Sequence, residues 1–305
     1  MKLFDILIAG EINPDLILAG DVIPEFGQVE KLVDSAALTI GSSSAIFACG
    51  AARLGLKVAF IGVCGDDVFG RFMLDEMSKR NVDVSHVIVR KDGQTGLSVI
   101  LNQQSDRAIL THSGLIAELQ ASDIADDLLR QARHLHVASY FLQTKLQPDL
   151  PNLFRRARSF GLITSLDTNY DPSEKWIGFD ELLAVTNIFL PNEAEAKSLT
   201  GAENVDEAAN RLQSRVEAFV IKLGKDGALG ISKSGRVRMN SIPVNVVDTV
   251  GAGDSFDAGF IYGYLNDWSL EKTLRLACVC GALSTQQAGG TNGQPALDEA
   301  MKYVS

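Results

Sequence analysis

The chain has 305 residues, 46% of them hydrophobic, and a formal charge of −10 at pH 7. That composition supplies a sizeable core and excludes a disordered chain. The acidic balance excludes nucleic acid as a partner, because phosphate backbones need basic surface, but leaves room for one bound nucleotide. Length allows one large α/β domain or two modest ones. Cys49, Cys64, Cys278 and Cys280 form no CxxC pair and no zinc spacing, so buried reduced thiols are expected. The N-terminal run MKLFDILIAGEINPD carries acids inside its apolar stretch, unlike a secretory leader, and no segment approaches the ~18 apolar residues of a membrane span. A cytoplasmic protein with no membrane partner is expected.

In chain order, FDILIAG (4–10) reads as a strand running into the turn Gly10–Asp15. Residues 16–40 read as antiparallel strands. The turn Gly41-Ser42-Ser43 then enters a helix over Ser44–Leu54, followed by the strand VAFIGV and a helix over Asp67–Arg80. Gly65-Asp66-Asp67 and Gly70 read as the turn between them. Residues 94–111 again read as antiparallel strands, TGLSVIL and AILTH around the turn-like NQQSDR. Beyond them HLHVAS, ITSLD, NIFLPN and AFVIKLG read as strands, with helices over Asp149–Phe160, Glu193–Leu199 and Asp206–Leu212 between them. Strand–helix alternation implies a mostly parallel sheet covered on both faces. Ligands of such sheets gather at the carboxyl ends of the strands, where Asn13, Asp15, Asp167, Asn169, Asn192, Glu193 and Gly224 fall. The segments 16–40 and 94–111 break the alternation and are expected to form a small accessory sheet over the site. One folded unit with a lid follows, without repeats or low-complexity linkers.

The most informative string is DTVGAGDSFDAGF, Asp248–Phe260. Gly251-Ala252-Gly253 stands just before an apolar helical run, so unpaired N–H groups and the positive end of the helix dipole face an approaching anion. Asp254 would repel a phosphate, yet is well placed to take a proton from a hydroxyl attacking one. The plainer alternative is an aspartate that only caps the helix. His134 and His136, two apart on a strand, read as sheet residues rather than metal ligands, since no third ligand is spaced nearby.

Taken whole, the string resembles the C-terminal signature of the ribokinase-like carbohydrate kinases, the PfkB family, and the resemblance extends over essentially the whole chain. It implies a ribokinase-like three-layer α/β sandwich with a mostly parallel central sheet and a small β-sheet lid, spanning residues 1–305. It implies ATP and Mg²⁺ as cofactors, with K⁺ as a further candidate, and ATP plus a small sugar or nucleoside as partners. GEINPD resembles the family's N-terminal substrate element, in which the residues matching Asn13 and Asp15 hydrogen-bond sugar hydroxyls. Gly41–Gly70 resembles the N-terminal signature, placing Gly41, Ser42 and Ser43 beside the acceptor. The usual second glycine is Ser42 here, and the usual asparagine is Ile46, which implies one hydroxyl partner fewer and a more apolar wall. Ser165–Trp176 resembles a D-x-N-x-R…W segment of fructokinase-like and ketodeoxygluconate-kinase-like members, with Asp171 in place of the arginine. An aspartate there would repel an acidic sugar. LPNEAEA resembles the N-x-x-E motif, implying that Asn192 lies near the nucleotide and that Glu195 organises Mg²⁺ through water. Val220–Gly230 resembles the nucleotide-lining loop, with Lys222, Gly224, Gly227 and Gly253 beside the phosphates. Asp248 and Val250, with the turn 288–293, resemble a monovalent-cation site.

The resemblance assigns catalysis to Asp254 as general base and to Gly251, Ala252 and Gly253 as the anion hole. The acceptor is expected to be the primary hydroxyl of a ribose-, fructose- or ketose-like sugar. Tyr140, Phe141 and Ile46 keep a nucleoside open as acceptor, because an aromatic wall stacks either a sugar face or a base. A non-catalytic sugar or nucleotide sensor is the alternative from another class. A dinucleotide-binding dehydrogenase is excluded, since GEINPD stands where G-x-G-x-x-G would follow the first strand. Exposed strand edges of the lid favour pairing into a homodimer.

Overall fold

Runs rich in Val, Ile, Leu and Phe with few charges suit strands buried on both faces. The computed structural model describes residues 2–103, 106–169, 171, 175–176 and 178–304. Among these, nine strands form one sheet in the order Gly235–Met239, Ala228–Ser232, Ala218–Lys222, Ile188–Phe189, Ile163–Leu166, Ala132–Val137, Phe4–Ala9, Val58–Ile61 and Val82–Asp83. Pairing is parallel from Ala218–Lys222 through Val82–Asp83. The other two strands are antiparallel, because the chain folds straight back after Lys222 through a one-turn 3₁₀ segment, Gly224–Asp226.

The period-two alternation of the central strand sends Leu7 and Ala9 into one core and Ile6 and Ile8 into the other. The first core is closed by the helices Leu150–Ser159, Phe179–Val185 and Val205–Leu212. The second is closed by Ser43–Arg53, Ala252–Leu265 and Leu270–Ser284. Each fully buried Leu, Ile or Phe contributes about 1.5–3 kcal/mol. These two layers therefore outweigh the surface ion pairs, worth about 0–1 kcal/mol apiece. The four cysteines are buried and free, as expected. Among the described residues no helix is long and apolar enough to cross a membrane.

Because the seven strands of the parallel part point the same way, their carboxyl ends bring Gly10–Asp15, Ser139, Asp167–Asn169, Asn192 and Lys222–Gly224 to one edge. A second, four-stranded sheet stands at that edge, in the order Ser35–Ile40, Pro14–Ala19, Leu97–Gln103, Asp106–His112. Each of the two expected segments pairs antiparallel within itself, and a parallel pairing of Pro14–Ala19 with Leu97–Gln103 joins them. Only the ends of the 16–40 segment are strand, and the strands begin at Pro14 and reach His112. Gln104 and Ser105 of the expected NQQSDR turn lie outside the described residues. Several large apolar side chains of this part stand in solvent, among them Phe26, Leu32, Ile109 and Leu110.

Candidate functional site

The helix Ala252–Leu265 starts behind Gly251, whose φ of 71° is the left-handed conformation that glycine adopts without strain. A side chain at Gly251 would also strike the Gly290 carbonyl and Ile46. Ala252 and Gly253 of the first turn line a cleft of about 590 Å³ together with Lys222, Gly224 and Gly227. Its far wall is apolar, built from Ile242, Pro243, Val244 and Val246 with Phe256 and Ala282. That wall went unnoticed in the sequence, because SIPVNVV carries no motif and only the fold brings it opposite the glycines.

Asp254 is buried one residue beyond the turn. Burial, with the charge of Asp167 beside it, pushes its carboxyl up to about 8. Lys222 and the nearby Ser43 act the other way. One turn further along the helix, Asp257 is fully buried. Lys222 Nζ donates to Asp167 Oδ2 at 2.8 Å and to Asp257 Oδ2 at 3.0 Å. Burial drives the Asp257 carboxyl well above the usual carboxylate range, and its Oδ1 is buried without a hydrogen-bond partner. Burial also disfavours the Lys222 ammonium, but Asp167, Asp257 and Glu195 overcome this and hold it charged. The ammonium sits beneath the glycine turn, 3.6 Å from where a side chain at Gly253 would begin. Neither Asp257 nor its pairing with Lys222 was singled out from sequence. A buried lysine on a strand and an acid one helical turn past the glycines are the only signals available.

Asn13, Asp15 and Gly41 pack together, and Ser42 and Ser43 follow at the start of the next helix, with Ser43 near Asp254. Asn13 Nδ2 donates to Ser98 Oγ of the small sheet at 3.3 Å. Asp15 is buried, and burial first, then Asp248 and Glu11, push its carboxyl up to about 7 against the opposing charge of Arg107. Gly41 must be glycine, since a β-carbon there would lie 2.2 Å from Asp15 Oδ1. Ser42 caps the helix Ser43–Arg53 through Ala45 N, at 3.0 Å, and its hydroxyl donates to the Glu11 carbonyl at 2.7 Å. Glu11, buried among them, was passed over in the sequence.

Asn192 and Glu195 form a reciprocal cap: Glu195 N donates to Asn192 Oδ1 at 2.9 Å, and Asn192 N to Glu195 Oε2 at 2.8 Å. They do not line the cleft but stand beside it, through the bridge pairing of Asn192 with Lys222. Burial and the neighbouring Asp167 push Glu195 up to about 7. Two buried carboxyl groups so close suit a hard, oxygen-preferring cation. Asp248 accepts from Val250 N at 3.0 Å and from Gly289 N at 2.9 Å, so it pins the turn to the loop around 289. Each oxygen keeps a further lone pair, so a monovalent cation here would draw on this carboxylate as well as on backbone carbonyls. Among the described residues no cluster of three or more His, Cys, Asp or Glu side chains could hold a metal.

Three expectations change. Ile46 does not stand as an open apolar wall: it is buried against Gly251 and Gly290, under the anion turn. Asp171 turns inward, its Oδ2 accepting from Lys175 N at 3.0 Å and Trp176 N at 2.8 Å, so it holds a loop together. Tyr170, Pro172, Ser173 and Glu174 of that segment lie outside the described residues. Tyr140 and Phe141 pack against each other and against Phe179 in an aromatic cluster. His134 and His136 are buried sheet residues sharing Ser165 Oγ, at 2.6 and 2.7 Å.

The pfkB family carbohydrate kinase model matches residues 4–297. The 5-dehydro-2-deoxygluconokinase of Geobacillus thermodenitrificans is 30% identical over 282 residues, covering 87% of this chain and 84% of that protein. Among solved structures, an Arabidopsis thaliana ribokinase complexed with ribose and ATP superposes with a TM-score of 0.86 at 22% identity, covering 100% of this chain and 99% of that one. A putative ribokinase II from E. coli in complex with ATP and Mg²⁺ gives 0.85 at 23% identity, covering 99% of each chain. These likenesses in structure establish a ribokinase-like fold, and the match of nearly the whole sequence goes further: the chain belongs to the pfkB family of carbohydrate kinases, enzymes that phosphorylate their acceptors from ATP.

Proposed function

We propose that this enzyme transfers the γ-phosphoryl group of ATP to a primary hydroxyl of a small uncharged ribose-, fructose- or ketose-like sugar, with Asp254 as general base. The observation that carries the reading is the position of Asp254. It follows directly on the two glycine-turn residues that line the cleft, Ala252 and Gly253, and Ser43, next to the Gly41–Ser42 turn, is near enough to act on its carboxyl. The cleft, with its apolar wall and glycine loops, takes the nucleotide. Asn13, Asp15 and the Gly41–Ser43 turn hold the acceptor. Asp254 accepts the hydroxyl proton as the acceptor oxygen bonds to the γ-phosphorus and the bond to the β-phosphate oxygen breaks, releasing ADP. The N–H groups of Gly251–Gly253 and the Lys222 ammonium face the charge that develops on the transferring group.

Glu195, with Asn192 and Asp167 nearby, would hold Mg²⁺, which when bound neutralises phosphate charge. The Asp248 carboxylate, with the backbone of 248–250 and 288–293, would hold K⁺. The acidic acceptor side, with Asp15 and Asp254, favours an uncharged acceptor over the acid named for the Geobacillus relative. ADP release with ATP, Mg²⁺ and K⁺ against ribose, fructose, other ketoses, gluconate-type acids, adenosine and uridine tests this. Turnover on an uncharged sugar is expected; turnover confined to acids or nucleosides would overturn the acceptor assignment.

The small sheet acts as a lid, and its exposed apolar side chains pair with those of a second copy. Light scattering is expected to give a homodimer that Leu110→Asp dissociates, and a monomeric wild type would refute the pairing.

A further inference from the structure

Lys222 is the last residue of the strand Ala218–Lys222 and lines the cleft beside Gly224, Gly227 and Gly253. An ammonium has three N–H donors. Two are taken by the protein. One goes to Asp167 Oδ2 at 2.8 Å, just past the end of the strand Ile163–Leu166, and the other to Asp257 Oδ2 at 3.0 Å, on the helix Ala252–Leu265. One donor is left for a ligand. The Lys222 side chain is 12% exposed and that of Asp257 0%. Asp257 is therefore closed off from any ligand and can act only through the groups around it.

Positions 253 and 257 are four residues apart on one helix, so they lie one above the other on the same face. Lys222 Nζ sits 3.0 Å from Asp257 Oδ2 and 3.6 Å from where a side chain at Gly253 would begin. The ammonium is thus set against the first turn of the helix by an acid one turn further on. Asp167 alone would tie the lysine to the sheet. Asp257 ties it to the element that carries both the glycine turn and Asp254. Stability does not ask for this arrangement, because a buried ion pair gains little over apolar packing of the same volume. Asp257 Oδ1, buried without a hydrogen-bond partner, is a further cost to the fold.

We propose that Asp257 is a positioning residue of the phosphoryl transfer: it locks the Lys222 ammonium to the glycine turn, so that the remaining N–H meets the transferring phosphoryl group. The proposal rests on the role given to Lys222 in the reaction above. Asp257 itself moves no proton and touches no ligand. A group misplaced by about 1 Å can lose about 10²-fold in rate, while the nucleotide keeps its apolar wall and glycine loops. The loss therefore falls on kcat rather than on ATP KM.

The test is a double-mutant cycle of Asp257→Leu and Lys222→Met in the full-length enzyme, with Asp257→Asn beside it, and kcat, ATP KM and urea stability measured for each. Asp257→Leu is expected to lose roughly 10-fold or more in kcat, with ATP KM within about threefold of wild type. Asp257→Asn, which keeps an oxygen to accept from Lys222, should recover most of that loss. Because Asp257 acts through the lysine, the double variant should be no more than about threefold slower than Lys222→Met. Losses that multiply, an Asp257→Leu enzyme with unaltered kcat, or Asp257→Asn as slow as Asp257→Leu would overturn the proposal. If Lys222→Met does not fold, the contrast between Asp257→Leu and Asp257→Asn decides alone. Wild-type turnover in Lys222→Met would instead remove the lysine's role beneath the proposal and leave the assignment of Asp254 standing.

Discussion

At Asp254, burial and the charge of Asp167 leave the carboxyl near 8, so roughly a tenth of the free enzyme carries the base ionised at pH 7. A base works only when ionised, and kcat/KM reports the free enzyme. The acceptor kcat/KM is therefore expected to climb tenfold per pH unit below an acid limb near pH 8, and a flat profile from pH 5 to 9 would contradict this. Much at the residue scale was legible, because the glycines, Asp254 and the strand-end polar residues are adjacent in sequence to the signals that place them. Glu11 was not. Its partners Ser44, Ser139 and, at one remove, Asn169 are 33, 128 and 158 positions away, and only the parallel sheet gathers them. Asp171 misled in the other direction. A site reading of its charge missed that the carboxylate serves its own loop.

At the scale of elements, the strand Ala218–Lys222 and the helix Ala252–Leu265 are tied where Lys222 reaches Asp167 and Asp257. Removing one partner of a buried ionic network leaves uncompensated charge and costs about 3–5 kcal/mol. Lys222→Met is expected to lose that much stability in urea unfolding, besides activity. Loss of activity at unchanged stability would mean that the lysine is not structural. Most helices were legible from their apolar spacing, but Leu270–Ser284 and the short Phe179–Val185 were not singled out, nor were the five-residue helices Asp126–Arg130 and Leu297–Met301. The second follows a segment rich in turn residues. The first, buried along nearly its whole length, lacks the polar stripe that marks a surface helix.

Across the whole molecule, the parallel order of seven strands makes one edge both the site and the store of buried acids. Asp15 and Glu195 near 7 and Asp254 near 8, with Asp257 also raised well above the usual range, hold protons in the fold that the unfolded chain, with carboxyls near 4, releases. The ligand-free fold therefore loses stability as pH rises from about 4 to about 8 through these groups. His134 and His136, kept neutral by burial, oppose this only below the ordinary histidine value of 6.5. Between pH 6.5 and 8.5 the melting temperature should fall, and a rise over that interval would contradict the buried-acid edge. The alternation of strands and helices made the central sheet legible as a whole. The parallel joint of the small sheet was not, because it pairs segments some 80 residues apart. The most direct measurement is single-turnover phosphoryl transfer by Asp254→Asn, alongside its ATP affinity and melting curve. A folded protein that binds ATP as the wild type does and transfers about 10²–10⁴-fold more slowly is expected, whereas transfer within a few-fold of wild type would contradict Asp254 as the base.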